Sequence, residues 1–107
     1  MRAAAIKEIL DNSSGKTGPV SEIVNATAEG DSVSGVRLKE ALEKAGYAVE
    51  FVQKKHTVVC EVRGKVADDS EEGALGDLMG FGQAGNESEA MLCAVRGMVY
   101  DESHPRE

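Results

Sequence analysis

One segment dictates most of what this chain can become. From Thr57 to Val66, the residues Val58, Cys60, Val62, Gly64 and Val66 alternate with Thr57, Val59, Glu61, Arg63 and Lys65. A period of two puts the first set on one face and the second on the other, which describes a strand with one buried side. Just upstream, Tyr47, Val49 and Phe51 alternate with Ala48, Glu50 and Val52. Two such runs predict an antiparallel hairpin over about residues 47–52 and 57–66. Matching the apolar faces pairs Phe51 with Val58, Val49 with Cys60 and Tyr47 with Val62. Gln53, Lys54, Lys55 and His56 are left as the tip. A slip of one residue would expose every apolar side chain.

Helical patterns flank the hairpin. Ala3, Ile6, Ile9 and Leu10 recur at helical spacing near residues 2–11. The turn formers of DNSSGKTG end that helix, and Pro19 opens a second through Ser21, Ile23, Val24 and Ala28. A third carries Val33, Leu38, Ala41, Leu42 and Ala45 on one stripe, with Gly46 as its stop. Near the C-terminus, Asn86 followed three residues later by Glu89 reads as an N-cap with its capping-box acid. The helix predicted over Asn86–Tyr100 is apolar nearly all round and must pack on the sheet. CEVRGKV at Cys60–Val66 and CAVRGMV at Cys93–Val99 share wording, but these contexts assign them different structures. The expected fold is α+β and a single domain over 1–107: three N-terminal helices, the hairpin, a Gly-rich acidic loop over 67–85 and the C-terminal helix.

That loop contains the sharpest apparent motif. GFGQAGNESE, Gly80 to Glu89, has the spacing G-x-G-x-x-G ahead of a helix. A dinucleotide site needs a strand entering the first glycine and a second parallel strand beyond the helix. ALGDLM is a poor strand by pattern, and Glu87 and Glu89 occupy the place a phosphate requires. No nucleotide is expected. Gly73, Gly76, Gly80, Gly82 and Gly85 are read instead as a mobile connection. Leu75, Leu78, Met79 and Phe81 lie within it. Either a short helix from Ser70 folds these four into the core, the favoured reading, or they form an apolar segment that closes on a partner.

No other constellation supports chemistry. Gly15-Lys16-Thr17 echoes the end of a P-loop, but Leu10 stands at the upstream glycine position. His56 and Cys60 share a strand face at ~13 Å, beyond proton-transfer reach. Cys60, Cys93, His56 and His104 lack the close paired spacing of zinc sites. Cys60 reads as a small core residue. The sequence therefore predicts no enzyme, metal or cofactor. The N-terminal MRAAAIKEIL has no uninterrupted apolar run, and no stretch is long enough to cross a bilayer. A cytoplasmic protein with reduced cysteines and no membrane contact is the expectation.

Charge is unevenly spread within a net of −7. Residues 36–66 hold seven Lys and Arg against four acids, whereas residues 67–107 hold two against ten. The middle is mildly basic and the last third strongly acidic.

Helix, helix, helix, hairpin with a charged tip: over about residues 4–66 this order resembles a winged helix-turn-helix domain. PVSEIVNATAEGDSVSGVRLKEALEKAGYAV is similar to that family's run from second helix to recognition helix, LKEALEKAGY above all. The resemblance implies that Ser34, Arg37 and Lys39 face duplex DNA, with Lys54, Lys55 and His56 as the wing tip. Residues 36–100 also resemble small α-β-β-α sandwich proteins of phages and prophages. Some of those are relatives of double-stranded RNA binders, whose lysines at the start of the last helix are here replaced by NESE.

Two functions follow. The preferred one is a non-enzymatic acidic module that binds a basic protein partner. Asp68, Asp69, Glu71, Glu72, Leu78, Met79 and Phe81 would make its contact surface, and an inhibitor or adaptor of a nucleic-acid-binding machine of a phage or mobile element would have this charge character. The alternative is a winged-helix transcriptional regulator, a homodimer through the C-terminal helix being compatible with it.

Overall fold

A computed structural model describes residues 2–13, 18–30, 32–64 and 76–103. Their order is α1 (Arg2–Ser13), α2 (Pro19–Thr27), α3 (Gly35–Lys44), β1 (Ala48–Gln53), β2 (Val58–Arg63), β3 (Leu78–Ala84) and α4 (Glu87–Ser103). The fold is α+β, with the helices gathered on one face of a three-stranded antiparallel sheet ordered β1-β2-β3.

Several helix ends have a local cause. Pro19 opens α2, where its missing N–H is no loss. Ser34 caps α3, its side chain accepting from the Arg37 N–H. At the other end Gly46 adopts φ 103°, and the Tyr47 N–H returns to the Leu42 carbonyl at 3.0 Å. The Gly46 N–H reaches the Glu43 carbonyl at 3.1 Å, which completes a Schellman motif that only a residue tolerant of positive φ can make. Tyr47 is thereby the closing residue of α3 rather than a strand residue. Asn86 caps α4 as its spacing predicted, its Oδ1 accepting from the Glu89 N–H at 2.9 Å.

The hairpin differs from expectation by two residues. Phe51 pairs with Cys60, Val49 with Val62 and Gln53 with Val58. A two-residue slip preserves the faces, because side-chain parity repeats every two residues. The tip is Lys54–Thr57, closed by the Lys54 N–H on the Thr57 carbonyl at 2.7 Å. The loop keeps four residues but moves one position along the chain, and Gln53 joins the ladder opposite Val58.

The larger correction concerns the Gly-rich loop. Residues 78–84 of it form β3, paired to β2 with Gly82 opposite Cys60 and Gly80 opposite Val62. The short helix expected to begin at Ser70, and Leu75 with it, falls on residues outside those described. Gly80 and Gly82 are two apart and share the face turned to α4. A Cβ on Gly82 would stand 2.5 Å from the Ala94 nitrogen and 2.8 Å from the Cys93 Cβ, and one on Gly80 would stand 2.6 Å from Met98 Cγ. The glycines are there so that a helix can lie directly on the strand.

That helix is the centre of the domain. Ala90, Met91, Ala94, Val95, Met98 and Val99 of α4 are buried with Ile9 of α1, Val20 and Val24 of α2, Leu38 and Leu42 of α3, and Cys60 and Val62 of β2. At about 1.5–3 kcal/mol for each fully buried Leu, Ile, Val or Met, this cluster dominates folding. Burial on so many sides makes α4 an intramolecular core helix. Near its end Glu102 supplies the cap that α2 lacks, since Gly18 offers no side chain. Its carboxylate accepts from the Val20 N–H at 2.8 Å, the Ser21 N–H at 3.0 Å and the Ser21 hydroxyl at 2.9 Å. CEVRGKV and CAVRGMV part company as expected: Cys60–Arg63 lies in β2, Cys93–Val99 in α4.

Candidate functional site

A sheet with helices on one side has a second side to account for. The strand registers place three cross-strand rows on the outer face: Val52, Val59 and Gln83; Glu50, Glu61 and Phe81; Ala48, Arg63 and Leu78. A bulge between Val62 and Arg63 adds Met79 beside Leu78. Among the described residues no helix packs on this face. Val59, at its centre, is buried by its neighbours. Around it Val52 is 37% exposed, Met79 42%, Leu78 50% and Phe81 53%.

These exposures exclude the reading that folds the apolar segment into the core. Leu78, Met79 and Phe81 do not enter the core, contrary to the favoured expectation. The reason is parity: glycines fill the inward positions of β3, so its large side chains must take the outward ones. The segment is a strand, which also sets it apart from the mobile connection predicted.

The electrostatics of the face are equally local. Glu50 and Glu61 are directly opposed across β1 and β2. Facing like charges destabilise a strand pair by a few tenths of a kcal/mol to about 1 kcal/mol. The guanidinium of Arg63 lies 3.9 Å from Glu61 and offsets part of this, while Glu50 has no ion-pair partner among the described residues. Arg63 Nε is buried without a hydrogen-bond partner. The outer face is thus an apolar rim around two facing carboxylates, of which Glu61 is partly offset by Arg63.

The residues named from sequence divide sharply. Leu78, Met79 and Phe81 come together on β3. Asp68, Asp69, Glu71 and Glu72 lie outside the described residues. Of the set implied by the winged-helix resemblance, Ser34 is engaged as the α3 cap. Arg37 is ion-paired with Glu29, and Lys39 with Glu43 at 3.1 Å. Lys54, Lys55 and His56 are exposed together at the hairpin tip. Lys39 shares a groove with Val36, Phe51 and Glu87, so the acidic start of α4 stands beside the α3 cation. The connection from α2 to α3 runs from Ala28 to Ser34 and contains a bridge between Glu29 and Ser32. It is longer than the three or four residues usual between the two helices of that motif.

Sequence reasoning missed Glu50, Glu61, Val52 and Val59 as site residues. The available signal was Val52 and Val59, two apolar residues on a face otherwise assigned to water.

Elsewhere the reactive groups are quiet. Cys60 lies buried with its thiol 3.9 Å from the Met91 sulfur, and burial, with smaller contributions from Glu61 and Cys93, pushes its pKa up to about 11. Burial, aided by Glu102, likewise raises the Tyr47 hydroxyl. Among the described residues no three His, Cys, Asp or Glu side chains gather where they could hold a metal ion, and no helix is long and apolar enough to cross a membrane. No family model, curated protein or solved structure matches the chain.

Proposed function

We propose that this protein is a small non-enzymatic module that takes up a basic partner protein on the outer face of its sheet. The observation that carries the reading is one face, uncovered by any helix among the described residues, combining exposed Val52, Leu78, Met79 and Phe81 with the opposed Glu50 and Glu61. Exposed apolar side chains gain from any contact that removes them from water. Two facing carboxylates gain from a cation set between them, and the same cation would make a partner specific. A segment with an Arg or Lys flanked by apolar residues meets both demands at once. The net charge of −7 would draw such a partner from a distance. An inhibitor or adaptor acting on a nucleic-acid-binding machine of a phage or mobile element fits this chemistry, since such machines present basic surfaces. Its place of action in this reading is the cytoplasm, where Cys60 and Cys93 stay reduced.

The winged-helix alternative draws its support from Lys54, Lys55 and His56 at the tip. Its helix contributes less, because Arg37 and Lys39 are already paired with acids.

Photocrosslinking tests the first reading directly. A photoreactive phenylalanine placed at Val52 or Phe81, in cells that express the chain, is expected to capture a protein with a basic surface. The same probe at Val36, exposed on α3, is expected not to. Glu50→Lys with Glu61→Lys should abolish the adduct. Capture only at Val36, or adducts indifferent to the charge reversal, would overturn the reading. Anisotropy of a labelled duplex at low and moderate salt tests the alternative. Binding that weakens steeply with salt, and is lost on Lys54→Glu with Lys55→Glu, would move the function to DNA.

A further inference from the structure

The outer face is one open surface of the sheet; its β3 edge is another, and the two are physically distinct. β3 pairs with β2 alone, so along its other side no described residue takes up the outward backbone N–H and C=O groups. Soluble proteins guard such edges with charges, proline, short strands or a covering element. Leu78–Ala84, LMGFGQA, is seven residues long and holds no charge and no proline. The opposite edge, β1, has Glu50 within it and the Lys54–Lys55 tip beyond it. Among the described residues one edge is defended and the other is not.

The geometry points to a second copy of this chain as what pairs with β3, giving a two-fold dimer with a continuous six-stranded antiparallel sheet. Two observations select this occupant. Copies that each carry −7 repel one another over most of their surfaces, and β3 is a neutral strip on which they can approach. The strand is also self-complementary about Phe81. Antiparallel pairing centred there sets Phe81 against its own copy, Gly80 against Gly82, Met79 against Gln83 and Leu78 against Ala84. The two rings then form a cross-strand aromatic pair, a stabilising one on an antiparallel ladder. No like charges meet anywhere along this register.

The helix above the edge does not obstruct the approach. Cys93 of α4 stands over Gly82, and Gly97 follows four residues on along the same helix face. A Cβ added at Gly97 would meet nothing within 4 Å, so α4 is small at this point beside the edge, with the acids Glu89 and Asp101 one turn beyond Cys93 and Gly97 on either side. A two-fold through Phe81 brings this flank towards its own copy across the strand pair.

The inference does not rest on the partner reading above. Dimerisation uses the backbone edge and the Phe81 ring of purified chain alone, whereas the basic partner uses the outer face, which shares Phe81 but extends across Glu61 and Glu50 to Val52. If both hold, the dimer doubles that face.

Sedimentation equilibrium of the full chain over a hundredfold concentration range, combined with amide hydrogen exchange, tests the dimer. The mass is expected to rise from 11.3 kDa towards twice that value with concentration. In the same range β3 amides should gain protection while those of β1 do not change. Phe81→Glu sets two carboxylates face to face on the two-fold and should return the mass to that of the single chain at every concentration. Its exchange pattern in α4 and β2 reports independently that the fold is intact. A chain that stays monomeric at several hundred micromolar overturns the proposal. So does a dimer whose added protection falls on β1 or α1, and so does a Phe81→Glu variant that folds and still dimerises. None of these outcomes bears on capture of a basic partner, which the crosslinks at Val52 read.

Discussion

The same three strands present two faces that solve the problem of apolar surface in opposite ways. The inner face carries Val49, Phe51, Val58, Cys60 and Val62 but is stripped to glycine at positions 80 and 82, and α4 closes on it at backbone distance. The outer face keeps the large side chains of β3 and leaves them in water, around a facing pair of carboxylates. The difference is not one of hydrophobicity, since both faces have apolar residues to spare. It lies in where bulk was placed. Bulk is absent where the chain must pack against itself and present where it does not, the contrast on which the partner proposal rests.

The sharpest way to break this contrast is to add bulk inside. Gly82→Val improves the local strand preference, so propensity alone predicts a more stable protein. Packing predicts the reverse, because the new side chain meets the Ala94 nitrogen and the Cys93 Cβ, and a helix backbone cannot step aside as a side chain can. We expect a loss of about 3 kcal/mol and a fall in Tm on the order of 15 °C, read by thermal unfolding. An unchanged Tm would mean that α4 does not seat on β3 as closely as the contrast requires.

The next effect in size tests what keeps α4 in that seat. Glu102→Ala removes three charge-assisted hydrogen bonds from the start of α2 and leaves its N–H groups uncapped. A loss of about 1–2 kcal/mol is expected in chemical denaturation, with hydrogen exchange rising first in α2 and the last turn of α4. Glu102→Gln, whose single amide oxygen can replace only one of the two accepting carboxylate oxygens, should fall between the two.

Much of this architecture was legible in the chain itself, because its signals are local. Pro19, Gly46 and Asn86 each act on the residues within one turn of them, and each does what its spacing implied. The faces of β1 and β2 followed from parity even though the register moved by two. β3 was not legible, and the reason is instructive. Gly80 and Gly82 weaken a strand when judged alone and are explained only by a helix whose backbone comes within contact distance, a fact about tertiary structure. The candidate site inherits the same limit. Phe81 and Met79 were visible as apolar residues, favoured for the core with partner contact as the alternative, but Glu50 and Glu61 become a pair only once the register sets them opposite each other.

On the outer face the effects should be small and, in one case, favourable. Glu50→Lys replaces a facing pair of like charges with an opposite pair, and a gain of about 0.5 kcal/mol is expected. The gain should fade in 1 M salt, where the Debye length is about 3 Å. Tm measured at both salt concentrations checks it. A loss of stability at low salt would show that Glu50 already has a counter-charge.

The smallest expected effect carries the most weight for function. Phe81 exposes half of its surface, so Phe81→Ser removes a large aromatic side chain without opening a cavity. Stability at low protein concentration should change by no more than about 0.5 kcal/mol. The same kind of truncation in the core, where a cavity would remain, costs about 3–5 kcal/mol for a phenylalanine. A near-zero result would leave a large apolar residue with no part in holding the fold together, at the centre of a neutral strand and next to opposed acids. That result is what both proposals require of Phe81, and the crosslinks and sedimentation above then separate a basic partner from a second copy. A loss of several kcal/mol would mean instead that Phe81 is covered by the chain itself, and the two faces of the sheet would no longer differ in kind.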